Sequence, residues 1–287
     1  MKKFASAKAQ KQQGFTLIEL SIVLVIIGLI VGGVLVGQDL IKAAEIRATV
    51  SQIEKYNAAA NTFRSKYNAL PGDLPSPANF GMTATTAAAS WNGDSLIQSC
   101  TQNDGMKYSC ETAAFWNHLS TAGLIAENIA LTSTTAANGT VTTFGSTYAP
   151  AAKAGAGAYV LVGAPGSADT VSGGYVSTGY NYFFINGPLS ATASVLTAYN
   201  PLTPTQAYQI DSKLDDGIPT TGVVVAFDNN AIAGSNTVGT GVAFALATGL
   251  KLKSATASVC QTNGSATYNI ASAGTTQLCS LAMRGSF

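Results

Sequence analysis

The sequence predicts an α+β protein: a long, membrane-spanning N-terminal α-helix forms a spine, and an antiparallel β-sheet head packs on its outer half. Three observations carry this expectation. Residues Leu20 to Gln38 contain no charged side chain. Beyond them, apolar residues continue at helical spacing as far as Tyr67, where Ala69-Leu70-Pro71-Gly72-Asp73-Leu74-Pro75 breaks the pattern. The remainder is rich in Gly, Ala, Thr and Ser, and its short β-branched and aromatic runs are separated by turn residues. A helix this long is not stable from propensity alone, so its outer stripe must be covered by the head.

Taken in order, residues 1–14 read as a leader peptide, carrying Lys2, Lys3, Lys8 and Lys11. Residues 15–68 read as the spine. Leu20 to Gln38 as a helix is about 28 Å long, close to the thickness of a bilayer core. This marks a single-pass membrane span, and the leader lysines place the N-terminus in the cytoplasm. An ordinary secretory signal would have a shorter apolar core and end at a small-residue cleavage site, whereas here the run leads into Gly37-Gln38-Asp39. Glu19 is the anomaly. An ionisable side chain within an apolar helix costs about 2.5–3.5 kcal/mol at the helix centre and is usually kept for a function. The outer half has a stripe of Ile46, Val50, Ile53, Ala60, Phe63 and Tyr67, while Lys42, Glu45, Arg47, Glu54, Lys55, Arg64 and Lys66 fall mostly elsewhere. Phe15 to Tyr67 would make about 80 Å of helix.

Residues 69–287 read as an extracytoplasmic α+β head. Ser76 to Cys110 is expected to be a loop, and Glu111–Ala122 a helix with Ala114, Phe115, Leu119 and Ala122 on one face, ended by Gly123. Ala130 to Ala152 is low in complexity and reads as loop or weak edge strand. Ala158–Val162 and Tyr180–Ile185 are expected strands, the second ended by Asn186-Gly187-Pro188. Next come a short helix over Thr205–Leu214 and a buried strand over Thr221–Phe227. Val242–Leu246 and Tyr268–Ile270 are weaker strand expectations.

Composition excludes some functions. Charged residues make up 10% of the chain, low for a cytoplasmic protein and suited to an uncharged exported surface. The net charge of +1 divides unevenly: without the four leader lysines, 11 basic residues face 14 acidic ones, or −3. From Ala69 onward there are six basic and ten acidic residues, which leaves no clustered footprint for nucleic acid. The four cysteines fall as Cys100/Cys110 and Cys260/Cys279. In an exported chain an even number suggests disulfides, and proximity favours pairing within each pair among three connectivities. Zinc is disfavoured, since no Cys-x-x-Cys occurs and the single histidine is His118. That histidine has no partner motif for chemistry, and the Gly-x-Gly runs at 155–157 and 239–241 lack the context of a dinucleotide fold. Nothing in the sequence argues for an enzyme, and no cofactor is expected apart from calcium as a minority alternative.

The Lys-rich leader, then Gly14-Phe15-Thr16-Leu17-Ile18-Glu19-Leu20, then an unbroken apolar helix resembles the signature of type IV prepilins and of the pseudopilins of type II secretion. The resemblance covers roughly residues 1–68. It implies a type IV pilin-like fold, cleavage between Gly14 and Phe15 by a prepilin peptidase, and N-methylation of Phe15. It also implies assembly through Glu19, into a filament of this chain and other pilins at an inner-membrane platform. The precursor would sit in the inner membrane and its product in a periplasmic or extracellular filament. Two departures are visible: Gln13 stands where many relatives have a basic residue, and the span lacks a midway proline, offering Gly28, Gly32, Gly33 and Gly37 instead. Those glycines form two Gly-x-x-x-Gly spacings, read either as ordinary membrane-helix glycine or as close helix packing. Uses as a pilus subunit, as a secretion pseudopilin, or as a membrane-anchored periplasmic binding module all remain open at this level.

The sharpest feature of the head is Asp211-Ser-Lys-Leu-Asp215-Asp216-Gly217-Ile-Pro219. Acidic residues in a last helical turn oppose the helix dipole, so they require a positive partner. The preferred partner is the backbone N–H groups of the Gly217–Thr221 turn; a calcium ion held by Asp211, Asp215 and Asp216 is the alternative, without EF-hand spacing to support it.

Overall fold

The computed structural model describes residues 15–82, 92–98, 110–131, 145–155, 157–164, 179–191, 195–227, 242–245, 260–261, 266–273 and 279–287. The leader with Gly14, together with Cys100, Leu246 and much of the low-complexity stretch between 130 and 152, lies outside them. A single helix, α1, runs from Leu17 to Tyr67. Compactness divides the chain inside this helix, between Ala44 and Glu45.

In the first unit, the helix is apolar and its large side chains are exposed all round, from Leu17 and Leu24 to Leu40 and Ile41. The helix is long and apolar enough to cross a membrane. Gly28, Gly32, Gly33 and Gly37 each face open space: beyond the helix's own backbone, no atom of the described residues lies within 4 Å of a Cβ added there.

In the second unit, α1 buries Ile46, Thr49, Gln52, Ile53, Tyr56, Ala59, Ala60 and Phe63. These positions recur at three and four residues, the spacing of one helix face. The face is more polar than the expected stripe, and Val50 and Tyr67 stay at its partly buried edge. Gln52 and Tyr56 can be buried because their polar atoms are paired. Gln52 Nε2 donates to the Ala151 carbonyl at 2.8 Å, and Tyr56 Oη donates to Glu127 Oε1 at 2.9 Å. The helix ends at Asn68, which adopts a left-handed φ of 54°, a conformation asparagine tolerates better than most residues.

The short 3₁₀ helix Pro77–Phe80 interrupts a stretch expected to be loop. Helix α2, Glu111–Thr121, is buried continuously from Glu111 to Leu119, so the single apolar face expected for it is too narrow. Trp116 sits edge-on to Tyr56 of α1 at 4.8 Å between ring centroids and edge-on to Phe115 at 4.9 Å. Apolar packing of such rings contributes beyond the area they bury.

The sheet comprises β1 (Tyr159–Gly163), β2 (Tyr182–Ala191), β3 (Val195–Tyr199), β4 (Val224–Phe227), β5 (Val242–Ala245) and β6 (Ser280–Arg284). Every pairing among the described residues is antiparallel. Strand β2 organises it. Its first half pairs with β1 on one side, Leu161 opposite Phe184, and with β6 on the other, Phe184 opposite Ala282; β4 completes this part beyond β6. Its second half, from Gly187, pairs with β3, which in turn pairs with β5.

Asn186-Gly187-Pro188 therefore does not end β2 as expected. The register shifts between Pro188 and Ser190, a place where a residue without an N–H is tolerated in a ladder. Two further corrections concern the C-terminal region. Tyr268 forms only an isolated bridge to Gln261, and the chain then turns into a short helix, α4, over Ile270–Ala273. The strand that does enter the sheet is β6, which no local feature of the sequence singles out. Between β3 and β4 lies α3, Pro204–Leu214, started by Thr203 in a reciprocal capping box with Gln206.

Candidate functional site

Phe15 is 91% exposed at the leading end of the described chain. Immediately behind it, Thr16 and Glu19 hold each other: the Thr16 backbone N–H and hydroxyl both donate to Glu19 Oε2, at 2.8 and 2.7 Å, and the Glu19 N–H donates to Thr16 Oγ1 at 3.3 Å. This reciprocal pair satisfies two of the donors that a helix start leaves without partners. Thr16-Leu17-Ile18-Glu19 before an apolar run is the sequence signature of such a box, a signal that the charge anomaly at Glu19 overshadows. Its chemical consequence is positional. The carboxylate is fastened next to the peptide group joining Phe15 and Thr16, beside the residue whose amine a cut at Gly14–Phe15 would release.

Cys260 and Cys279 are joined in a disulfide with Cα atoms 5.1 Å apart. Cys279 also exchanges both backbone hydrogen bonds with Leu202, and these bonds, rather than the disulfide, fasten the entry to β6 onto the segment preceding α3. Cys110 is disulfide-bonded too, and Cys100, its expected partner, lies outside the described residues.

The three aspartates meet. One carboxylate oxygen from each of Asp211, Asp215 and Asp216 lies within 4.8 Å of the others. Asp216 Oδ1 accepts from the Ile218 N–H at 2.8 Å and Oδ2 from the Thr221 hydroxyl at 2.7 Å. Those bonds hold its carboxyl below the usual range, with the threonine contact the larger cause. Asp215 Oδ2 accepts from the Val223 N–H and, at 3.2 Å, from the Val224 N–H, which seats the first residue of β4. Gly222 makes this approach feasible: its φ is 79°, and a Cβ there would lie 1.7 Å from Asp215 Oδ2. Asp211 points inward and accepts from the Tyr268 hydroxyl at 2.8 Å. Burial pushes its carboxyl up to about 6, against the pull of the Tyr268 and Gly217 hydrogen bonds. The backbone pairing preferred on sequence grounds is thus present at Asp215 and Asp216, while Asp211 is held by the Tyr268 hydroxyl.

A second group of buried acids has no counterpart among the sites expected from the sequence. Asp73 and Glu111 are each 1% exposed. Asp73 accepts from the Gly93 and Ser95 N–H groups, both at 2.8 Å, and Glu111 Oε2 accepts from the Gln98 N–H at 2.7 Å. Asn181 holds the same segment from the sheet side, accepting from the Ile97 N–H and donating to the Ser95 carbonyl. His118 Nδ1 accepts from the Gly72 N–H at 3.0 Å, so this ring is a structural acceptor for the turn after α1. The available signal is Pro71-Gly72-Asp73, which in the sequence marks only a helix stop. Gly72 has a φ of 89° and a Cβ there would lie 2.5 Å from the Glu111 carbonyl oxygen, so glycine lets this turn press against the start of α2.

Residues 9–35 match the family model described as the prokaryotic N-terminal methylation motif, the signature of type IV prepilins and pseudopilins. No curated protein and no solved structure matches the chain. The N-terminal region is therefore type IV pilin- or pseudopilin-like.

Proposed function

We propose that the chain is a prepilin: an inner-membrane precursor cut between Gly14 and Phe15 by a prepilin peptidase, methylated on the Phe15 amine, and polymerised through its N-terminal helix into a type IV pilus-like filament. The observation that carries this reading is the motif match over 9–35, running directly into an apolar helix with exposed side chains. Such a surface needs lipid before assembly and sister helices after it.

Glu19 has a specific part in this reading. In the precursor it caps its own helix through Thr16. Cleavage leaves an ammonium on Phe15, and two opposite unit charges 4 Å apart attract by about 4 kcal/mol at an effective dielectric of 20. Desolvation consumes much of that attraction, so the contact with a neighbouring subunit sets register more than it adds stability. The head supplies the outer surface, and its oxidised cysteines suit a periplasmic or extracellular location.

Use as a type II secretion pseudopilin rests on the same motif. Long surface filaments containing the processed chain favour a pilus subunit; short periplasmic ones favour a pseudopilin. The test of the common premise is Glu19→Val, which should insert and be cleaved like the wild type yet fail to enter filaments. Normal incorporation of that variant overturns the role given to Glu19.

A further inference from the structure

Around residues 92–98 two buried carboxyl groups hold backbone amides that neutral groups could hold at lower cost. Asp73, from the turn after α1, and Glu111, at the first position of α2, both receive backbone N–H groups of this one segment. Burying an ionised carboxylate is expensive, and burying two near each other more so, because the charges repel. Among the described residues, the groups facing them add little relief: Asp94, on the held segment itself, is a third acid, Asn181 is neutral, and His118 of α2 turns its Nδ1 to the Gly72 N–H as an acceptor. The N-terminus of α2 favours negative charge at Glu111, but only by a fraction of the burial cost.

We propose that Asp73 and Glu111 form a proton-operated clasp on the 92–98 segment, closed while at least one of the two carboxyl groups is protonated and loosened when both are ionised. Glu111 holds the Gln98 amide through Oε2, so a proton on its other oxygen keeps that bond while removing the repulsion, whereas Asp73 uses one oxygen for each of its two amides and gives up part of that pairing when protonated. Burial pushes Asp73 up to about 6 from 3.8, and Glu111 up to about 9 from 4.5, with Asp73 and Asp94 adding to the rise at Glu111. The folded head thus holds protons that the unfolded chain has released, and the stability this confers falls as pH rises through those windows. The clasp would give an exported head a segment that tightens in mild acid and opens in mild alkali. It does not depend on polymerisation.

Hydrogen exchange of the full chain in detergent micelles tests it, with rates corrected for the intrinsic pH dependence. Between about pH 6 and about pH 10, protection at Gly93, Ser95 and Gln98 should fall by roughly tenfold or more while that of Phe183–Ile185 in β2 holds. Glu111→Gln should abolish the difference and keep the segment protected at the higher pH. Equal loss in that variant, or a segment indifferent to pH in the wild type, overturns the proposal. If the variant does not fold, the carboxyl ¹³C shift of Glu111 in the wild type decides: titration well above the ordinary glutamate range supports the clasp, and titration at about 4.5 refutes it.

Discussion

Leu24 and Phe63 lie on the same helix in opposite circumstances: Leu24 is 62% exposed, whereas Phe63 is fully covered, at 0%. The first half of α1 places its apolar side chains on every side and buries none of them among the described residues. The second half confines them to one face and uses its polar residues for anchoring, with Gln52 and Tyr56 reaching the segments after α2. One helix therefore does two jobs. Its leading half is written for surroundings outside the chain, and its trailing half for the chain's own core. The difference teaches that burial within one copy is a poor guide to which residues of such a helix matter.

The largest effect expected from breaking this division falls on the leading end. Gly14→Val should leave the chain at full length in cells that contain a prepilin peptidase, because a bulky residue before the cut keeps the backbone from close approach. Mass measurement of the N-terminal peptide checks it, and normal cleavage removes the main support for the prepilin reading. Next comes a matched pair of truncations. Phe63→Ala should destabilise the head by about 3–5 kcal/mol, while Leu24→Ala should leave head stability within about 0.5 kcal/mol and disturb assembly instead. Denaturant unfolding in micelles, together with filament counts, separates the two; comparable losses of stability would show that the halves are not independent.

Opening the Cys260–Cys279 disulfide should cost about 2–4 kcal/mol, read from thermal unfolding of the Cys260→Ser, Cys279→Ser double variant. Smaller again is the cap of α3: Thr203→Ala should cost about 1 kcal/mol in denaturant unfolding. The corresponding Thr16→Ala, at the start of α1, should leave head unfolding unchanged, and an equal loss from both would again break the division. The smallest expected effect is none. Chelation with EDTA should leave the thermal midpoint unchanged if backbone N–H groups are the partners of Asp211, Asp215 and Asp216, whereas a bound calcium ion would stabilise by mass action and its removal would lower the midpoint.

Legibility in the sequence obeys the same division. The span, the Glu19 anomaly and the end of the helix before Pro71 depend on local chemistry, and each is visible in a few neighbouring residues. The head depends on partners far apart in the chain. Ser280-Leu281-Ala282-Met283-Arg284 has no β-branched residue, so nothing local marks it as a strand; it becomes one because β2 and β4 lie on either side of it. Tyr268–Ile270 has the composition of a strand but, among the described residues, only one bridge partner, Gln261, and Tyr268 is held by Asp211. At Asn186-Gly187-Pro188, turn-forming residues are overridden by a bulge that sheet pairing can absorb. The pairing of Asp215 and Asp216 with nearby backbone N–H groups is legible because unfavourable charges at a helix end demand a local answer, whereas the Tyr268 hydroxyl that holds Asp211 comes from far along the chain. Asp73 and Glu111 are not, since the amides they hold lie more than a dozen residues away along the chain.

The place of β6 between β2 and β4 has a consequence for how the molecule is made. A chain exported from its N-terminal end presents β2 and β4 well before the residues that join them. Until 280–284 arrive, both strands carry free edges with near-continuous apolar content, Tyr182 to Ile185 and Val224 to Phe227, the kind of surface that pairs with other chains. Closing contacts this distant in sequence is intrinsically slow. Tethering by α1 in the membrane would hold each unfinished copy on a two-dimensional surface, at high local concentration, while its sheet still lacks a middle strand. For an exported head, the arrival of residues 280–284 would thus decide whether the sheet closes on itself or on its neighbour.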